Sequence, residues 1–192
     1  LYAAQDGGEP FDAARYINRF PVKKHDHLLI PAGTVHGSGA GTMVLEISAT
    51  PYIFTFKLWD WGRVDLDGKP RPIHIGHGLA NIQWDRDTGF CERHLLHQER
   101  TVYSGPEGSV VRTGLAEREF IDTFRLSTGS ALDVPRDGSV DVLNLVEGRE
   151  AFIVSPTDAF EPFRVRYAQT FIVPDAAGDY RLVSAGGEVM AI

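Results

Sequence analysis

Residues 24–36 read Lys-His-Asp-His-Leu-Leu-Ile-Pro-Ala-Gly-Thr-Val-His, and three of the chain's seven histidines fall in them. Pro31 ends a short apolar run, Gly33 permits a sharp turn, and His36 opens the next run. A histidine at a strand-turn-strand mouth can point its ring into the hollow of a small β barrel. Neutral imidazole is a common ligand for zinc and similar metals. The alternative for His36 is a histidine satisfied by hydrogen bonds in a turn, and the Pro-Ala-Gly-x-x-His context favours the ligand. His25 and His27 are one residue apart, so on a strand they would face the same side. Lys23 and Lys24 precede them, which favours an exposed hairpin over a metal role.

Trp59-Asp-Trp-Gly-Arg63 is the second group. The Arg63 guanidinium suits gripping a phosphate or pinning a carboxylate. An Asp60–Arg63 salt bridge flanked by core tryptophans is the competing reading. Glu46 lies between Leu45 and Ile47, so it faces water if those two face a core, and an inward face would make it a candidate acid or base. His74 and His77 lack the spacing of a strand pair and read as structural. Cys91 reads as a buried or idle thiol. The glycine-rich stretch 37–41 lacks the strand-to-helix context of a phosphate loop and reads as a turn.

The elements that must position these groups are mostly β. The 192 residues are 43% hydrophobic and 23% charged, ordinary globular composition with enough chain for a real core. A net charge of −7 argues against a nucleic-acid partner. One cysteine excludes an intrachain disulfide framework and a cysteine-rich zinc site. No apolar run approaches the ~20 residues of a membrane helix. No signal peptide is visible, so a cytoplasmic location is expected. The first residue is Leu rather than Met, which suggests a trimmed chain or a fragment. Asp12 predicts the N-cap of a short helix over 12–18. Short branched and aromatic runs predict strands over 28–30, 43–47 and 52–56. Residues 86–108 read as a connector, with a short helix around 94–97. Further strands are predicted over 119–126, 140–146, 150–154, 163–167, 170–173, 180–183 and 189–192, with turns at 147–148 and 176–179. Many short strands and few helices indicate an all-β sandwich or jelly roll. Two units are expected, 1–100 and 101–192. No histidine follows His97, so a histidine metal site in the second unit is excluded by composition.

The Pro-Ala-Gly-x-x-His36 segment resembles the second sequence motif of cupins. The longer order Ile30-Pro-Ala-Gly-Thr-Val-His36, Gly39, Leu45-Glu-Ile47 and Asp60-Trp-Gly-Arg63 resembles class I mannose-6-phosphate isomerase. The likeness is dense over 20–71 and diffuse beyond. It implies cupin-type jelly-roll barrels and interconversion of mannose 6-phosphate and fructose 6-phosphate. It implies a divalent metal, zinc in that family, with His36 at a ligand position. It further implies Lys57 where the family carries a catalytic arginine, and Arg63 as a second cation at the sugar-phosphate site. The family's other ligands, a glutamine and a histidine one residue apart plus a glutamate, lie upstream of this motif. Nothing before Pro21 matches them, since the required histidine does not follow Gln5. The resemblance therefore implies either the C-terminal portion of a longer isomerase or a degenerate relative. Its expected partners are a sugar phosphate and, in a homodimer, a second copy, with no nucleic acid and no membrane. The alternative is a non-catalytic cupin module that binds sugar or a partner, or serves as the structural C-terminal part of a larger isomerase.

Overall fold

The computed structural model describes residues 1–5, 10–49, 55–114 and 120–192. The chain divides into two units, residues 1–97 and 98–192. The architecture is mostly β, with few short helices and two antiparallel sheets, as in a cupin-like all-β fold. Every strand of those sheets lies in 98–192.

Residues 1–97 hold α1 (Tyr2–Gln5), a 3-10 turn (Ala13–Arg15), α2 (Ile75–Asn81) and α3 (Thr88–His94). Two isolated bridges join Leu28 to Leu96 and Val64 to Pro70. The helix expected over 12–18 shrinks to the 3-10 turn, and the Asp12 side chain makes no cap bond there. The helix expected around 94–97 lies earlier. Asp87 caps α3 by accepting from Phe90 N at 2.8 Å, and Arg93 and His94 occupy its last turn, where the helix dipole favours cations. The runs 28–30 and 43–47 form no ladder among the described residues. Their composition suits a strand, but a strand exists only where a second one faces it. Residues 52–54 of the third expected strand lie outside the described residues.

Among the described residues, 98–192 hold ten strands. They are β1 (Arg100–Gly105), β2 (Gly108–Arg112), β3 (Phe124–Thr128), β4 (Ala131–Asp133) and β5 (Asp141–Glu147). Then follow β6 (Glu150–Val154), β7 (Phe163–Arg166), β8 (Thr170–Val173), β9 (Arg181–Ser184) and β10 (Val189–Ala191). One sheet runs β1-β2-β3-β10-β5-β8 and the other β4-β9-β6-β7. The segment read as a connector holds β1 and the turn at Pro106-Glu107 that leads into β2, with Gly105 opposite Gly108. The turn after Glu147 carries the chain from one sheet to the other. Gly148 holds φ +82 there, and a Cβ on it would sit 2.5 Å from Val189 Cγ1 and 2.9 Å from Glu188 O, so a larger residue collides with β10.

Period-two alternation decides what lies between the sheets. Leu143 and Leu145 of β5, Ala151 and Ile153 of β6, Leu182 of β9, and Val189 and Ala191 of β10 form one buried cluster with Val110, Leu126, Val165 and Phe171. Burying each large aliphatic side chain stabilises the unit by about 1.5–3 kcal/mol. The interior is therefore filled by apolar groups, most of them aliphatic. At one end Tyr180 is buried and donates to Asp141 Oδ2 at 3.0 Å. Arg136 donates to the same oxygen at 3.1 Å and to Ser139 O at 2.7 Å, and its guanidinium lies 5.4 Å from the Tyr180 ring centroid.

Burial, followed by the Asp141 charge, pushes the Tyr180 hydroxyl well above the usual phenol range. The folded protein keeps this proton where the unfolded chain, titrating near about 10, loses it. Stability contributed by Tyr180 is therefore complete below about pH 10 and declines above it, by up to ~1.4 kcal/mol per pH unit. Denaturant unfolding at pH 9 to 11 is expected to show this decline. The Tyr180→Phe variant should start about 1 kcal/mol less stable and lose less over the same range.

Candidate functional site

The Pro31 to His36 turn is held from several sides. Thr34 N donates to Pro31 O at 3.1 Å, which closes the turn. Gly33 adopts φ +83, and a Cβ on it would stand 2.6 Å from Asn81 O and 2.8 Å from Gln83 Cγ. Gln83 N donates to Gly33 O at 3.0 Å. Arg86 Nη1 reaches Pro31 O at 3.0 Å, Ala32 O at 2.8 Å and the Thr34 hydroxyl. The segment between α2 and α3 thus grips the turn.

His36 leaves this turn with an exposed ring. Its Nδ1 lies 2.9 Å from Thr34 O. A carbonyl oxygen only accepts, so Nδ1 carries a proton, and in the neutral ring Nε2 keeps its lone pair. That is the form in which an imidazole binds a metal. A metal centre needs about three protein donors. Among the described residues no three of His, Cys, Asp and Glu lie close enough to hold an ion. His36 suits one ligand position, and the described residues as a set do not fit the metal centre that the resemblance implies.

His25 and His27 do not share a strand face. His25 sits in a tight turn at φ +68, closed by Asp26 N donating to Lys23 O at 3.1 Å and by Lys23 N donating to Asp26 Oδ2 at 2.9 Å. His27 is half-buried beside a hollow of about 100 Å³ lined by Phe20, Val22, Asp26, Leu28 and His97. Glu46 is exposed together with Leu45 and Ile47, so no core face separates them. Cys91 is half-buried on α3.

The structure gathers charge at Asp60. Arg63 N donates to Asp60 O at 3.0 Å across Trp61 (φ +60) and Gly62 (φ +67), a two-residue turn with both central residues left-handed. Trp61 is 58% exposed rather than a core residue, and a bulky side chain at positive φ is uncommon. Trp59 is half-buried, and its Nε1 is buried without a hydrogen-bond partner. Lys57 Nζ stands 3.6 Å from Asp60 Oδ2, Arg71 Nε 3.2 Å from the same oxygen, and Arg63 Nη1 4.0 Å from Oδ1. The Asp60 side chain is 13% exposed, whereas that of Arg63 is 63% exposed. Its Oδ2 is buried with no hydrogen bond, so the cations approach it as charges rather than as well-aligned donors. His74 fixes the Lys57 backbone, donating its N–H to Lys57 O at 2.6 Å and accepting Lys57 N–H on Nδ1 at 3.4 Å. His77 stacks on Phe56 with centroids 5.7 Å apart.

The structure thus brings Lys57 and Arg63 together and adds Arg71, which the sequence reading missed. A signal for it was present. Asp65-Leu-Asp-Gly68-Lys69 is a turn sequence, with Asp65 Oδ1 accepting from Asp67 N and Lys69 N at 3.0 Å each. Folding back at that turn lets Arg71 N donate to Arg63 O at 3.1 Å. Arg86 was missed as well, because its role is to grip a turn more than fifty residues earlier.

The class indicated by fold is that of cupin-like all-β proteins. The crystal structure of mannose 6-phosphate isomerase from Bacillus subtilis matches with a TM-score of 0.56 at 14% identity, over 71% of this chain and 40% of that one. By sequence the chain is similar to mannose-6-phosphate isomerases over part of their length. It is 24% identical over 166 residues to mannose-6-phosphate isomerase ManA of Bacillus subtilis, covering 86% of this chain and 48% of that protein. A shorter stretch of 63 residues is 36% identical to the mannose-6-phosphate isomerase of Streptococcus mutans, 20% of that protein's length. The chain spans about half the length of ManA, and less of the others. No protein-family model matches it. Among the described residues no helix is long and apolar enough to cross a membrane.

Gly33→Ala tests the gripped turn. The added methyl meets backbone at 2.6 Å and the backbone is left-handed, so a loss of about 1–3 kcal/mol is expected on denaturant unfolding.

Proposed function

We propose that the chain is a mannose-6-phosphate isomerase-like protein that binds a sugar phosphate, with Lys57, Arg63 and Arg71 holding the phosphate. The carrying observation is that three cations converge on one nearly buried carboxylate. Asp60 neutralises only part of their charge, so the group stays locally positive in a chain of net charge −7. A phosphate dianion complements that excess, and guanidinium groups match its oxygens geometrically. Asp60 orients the cations before the ligand arrives, which lowers the ordering cost of binding. The exposed Trp61 ring beside them offers an apolar face to the sugar.

In an isomerisation of mannose 6-phosphate to fructose 6-phosphate these residues anchor and orient the substrate. The proton shift between adjacent carbons needs a base. A metal supplies carbonyl polarisation in such chemistry, and among the described residues no three suited side chains gather to hold one. A second reading, a non-catalytic module or the structural part of a larger isomerase, is supported by the coverage of about half of ManA. A cytoplasmic location accompanies either reading.

Calorimetric titration distinguishes phosphate recognition from general sugar binding. Mannose 6-phosphate should bind and mannose should not, and Lys57→Ala or Arg71→Ala should each weaken binding about tenfold. Affinity should fall as the pH drops below about 6, where the phosphate dianion takes up a proton. Equal affinity for both sugars, or variants indistinguishable from the parent chain, contradicts the proposal. A coupled assay for fructose 6-phosphate then separates enzyme from module.

A further inference from the structure

Among the described strands, β1, β8, β4 and β7 stand at sheet edges. An open edge invites pairing, and proteins blunt it with charge, shortness or a bulge. Three of these edges are blunted in that way. β1 begins with Arg100 and breaks register between Thr101 and Tyr103. β4 has three residues and ends in Asp133. β7 carries Arg164 and Arg166. The β8 sequence, Thr170-Phe-Ile-Val173, has no charge and no bulge against β5, and Ile172 is 64% exposed. Val142, opposite Ile172 in the ladder, is 61% exposed. Phe163 is 55% exposed beside Phe171, with ring centroids 6.3 Å apart. The backbone pattern fixes which groups of β8 are open. Asn144 exchanges hydrogen bonds with Ile192, away from β8, while Leu145 bonds Gln169 O and Ala168 N just before β8. Bonding sides alternate along a strand, so Leu143 and Asp141 bond their partners Phe171 and Val173. Thr170 and Ile172 therefore turn N–H and C=O outward, where no described strand pairs with them.

We propose that β8 is a homodimerisation edge, pairing antiparallel with β8 of a second copy about a two-fold axis at Phe171. In that register Thr170 of each copy faces Ile172 of the other, and every outward N–H and C=O of both strands finds a partner. Charge selects this occupant. Arg164 and Arg166 share one carboxylate, Glu150, at 3.8 Å each. Arg166 N also donates to Gln169 Oε1 at 2.7 Å, which holds it beside the start of β8. At the other end Asp141 and Asp175 share one cation, Arg136, at 3.1 and 3.4 Å. Positive charge is thus in excess at the start of β8 and negative charge at its end. Antiparallel pairing sets the start of each strand against the end of the other, so both ends match. Two-fold pairing closes at two copies, whereas β8 against a different edge leaves edges open and grows into longer assemblies. A four-residue edge buries less than the roughly 800 Å² per partner of a stable interface, so the dimer is reversible, with a Kd on the order of 10 μM. The inference is independent of the phosphate site and of the likeness to isomerases.

The test is sedimentation equilibrium of the full 192-residue chain, loaded from roughly 1 to 300 μM to bracket that Kd, with hydrogen exchange read at both ends of the range. Expected are a reversible monomer–dimer equilibrium and about tenfold slower exchange of the Thr170 and Ile172 amides at the higher concentration. Ile172→Lys, at an exposed position, should weaken the dimer about tenfold or more. Val102→Lys on β1 should leave it unchanged. Arg166→Glu and Asp175→Arg should each weaken it at low salt, and the two together should recover most of the loss, since both ends then match again. Four results overturn the proposal: a monomer throughout, a dimer indifferent to Ile172→Lys and to the charge swap, slowed exchange confined to other edges or to 43–47, or assemblies that grow past two copies.

Discussion

One carboxylate shared among several cations is the constraint on which the functional account depends. Asp60 is nearly buried, in a turn whose next two residues are both left-handed, and Lys57, Arg63 and Arg71 all lie within 4.0 Å of it. A buried carboxylate is costly unless cations face it. Those cations sit on separate short segments, so holding them also ties 55–63 to 69–77. The hairpin bridge at Val64 and Pro70 and the His74 contacts with the Lys57 backbone reinforce the same tie. What stabilises the local structure also leaves positive charge facing outward.

The second organising feature is the grip on the Pro31 to His36 turn. Arg86 supplies a charged donor to carbonyls that a sharp turn leaves open, and Gly33 allows the close approach to Asn81. The consequence is a defined exit for His36, with Nδ1 turned to Thr34 O, and a defined start for the apolar stretch that follows. In 98–192 the interior is instead closed by aliphatic packing, with Arg136, Asp141 and Tyr180 satisfying one another at its end. The proposed site therefore lies in the unit with little regular structure, while the sheets of 98–192 enclose a core of their own.

Strands β5 to β10 were legible in the sequence because alternation and turn residues agree there, as in Leu143, Leu145 and the Gly148 turn. The β1–β2 hairpin was obscured by polar residues such as Arg100, Thr101 and Arg112, which suit an edge as well as a linker. Helix α2 has two glycines in seven residues, Gly76 and Gly78, so propensity argues against it. Gly78 is buried against Leu58 and Phe56, and packing decides the outcome. The runs 28–30 and 43–47 were misread in the opposite sense: local preference was sound, but pairing is a property of two strands. In the proposed site, Lys57 and Arg63 were named by resemblance, whereas Arg71 and Arg86 act through folding back of the chain, which spacing alone does not reveal.

The most direct test of the account is nuclear magnetic resonance of the chain titrated with mannose 6-phosphate, following the arginine Nε–H and tryptophan indole signals. The account predicts saturable shifts at Arg63, Arg71 and Trp61, absent with mannose, while Arg136 stays still. Shifts confined to other arginines, or none at saturating ligand, would contradict it.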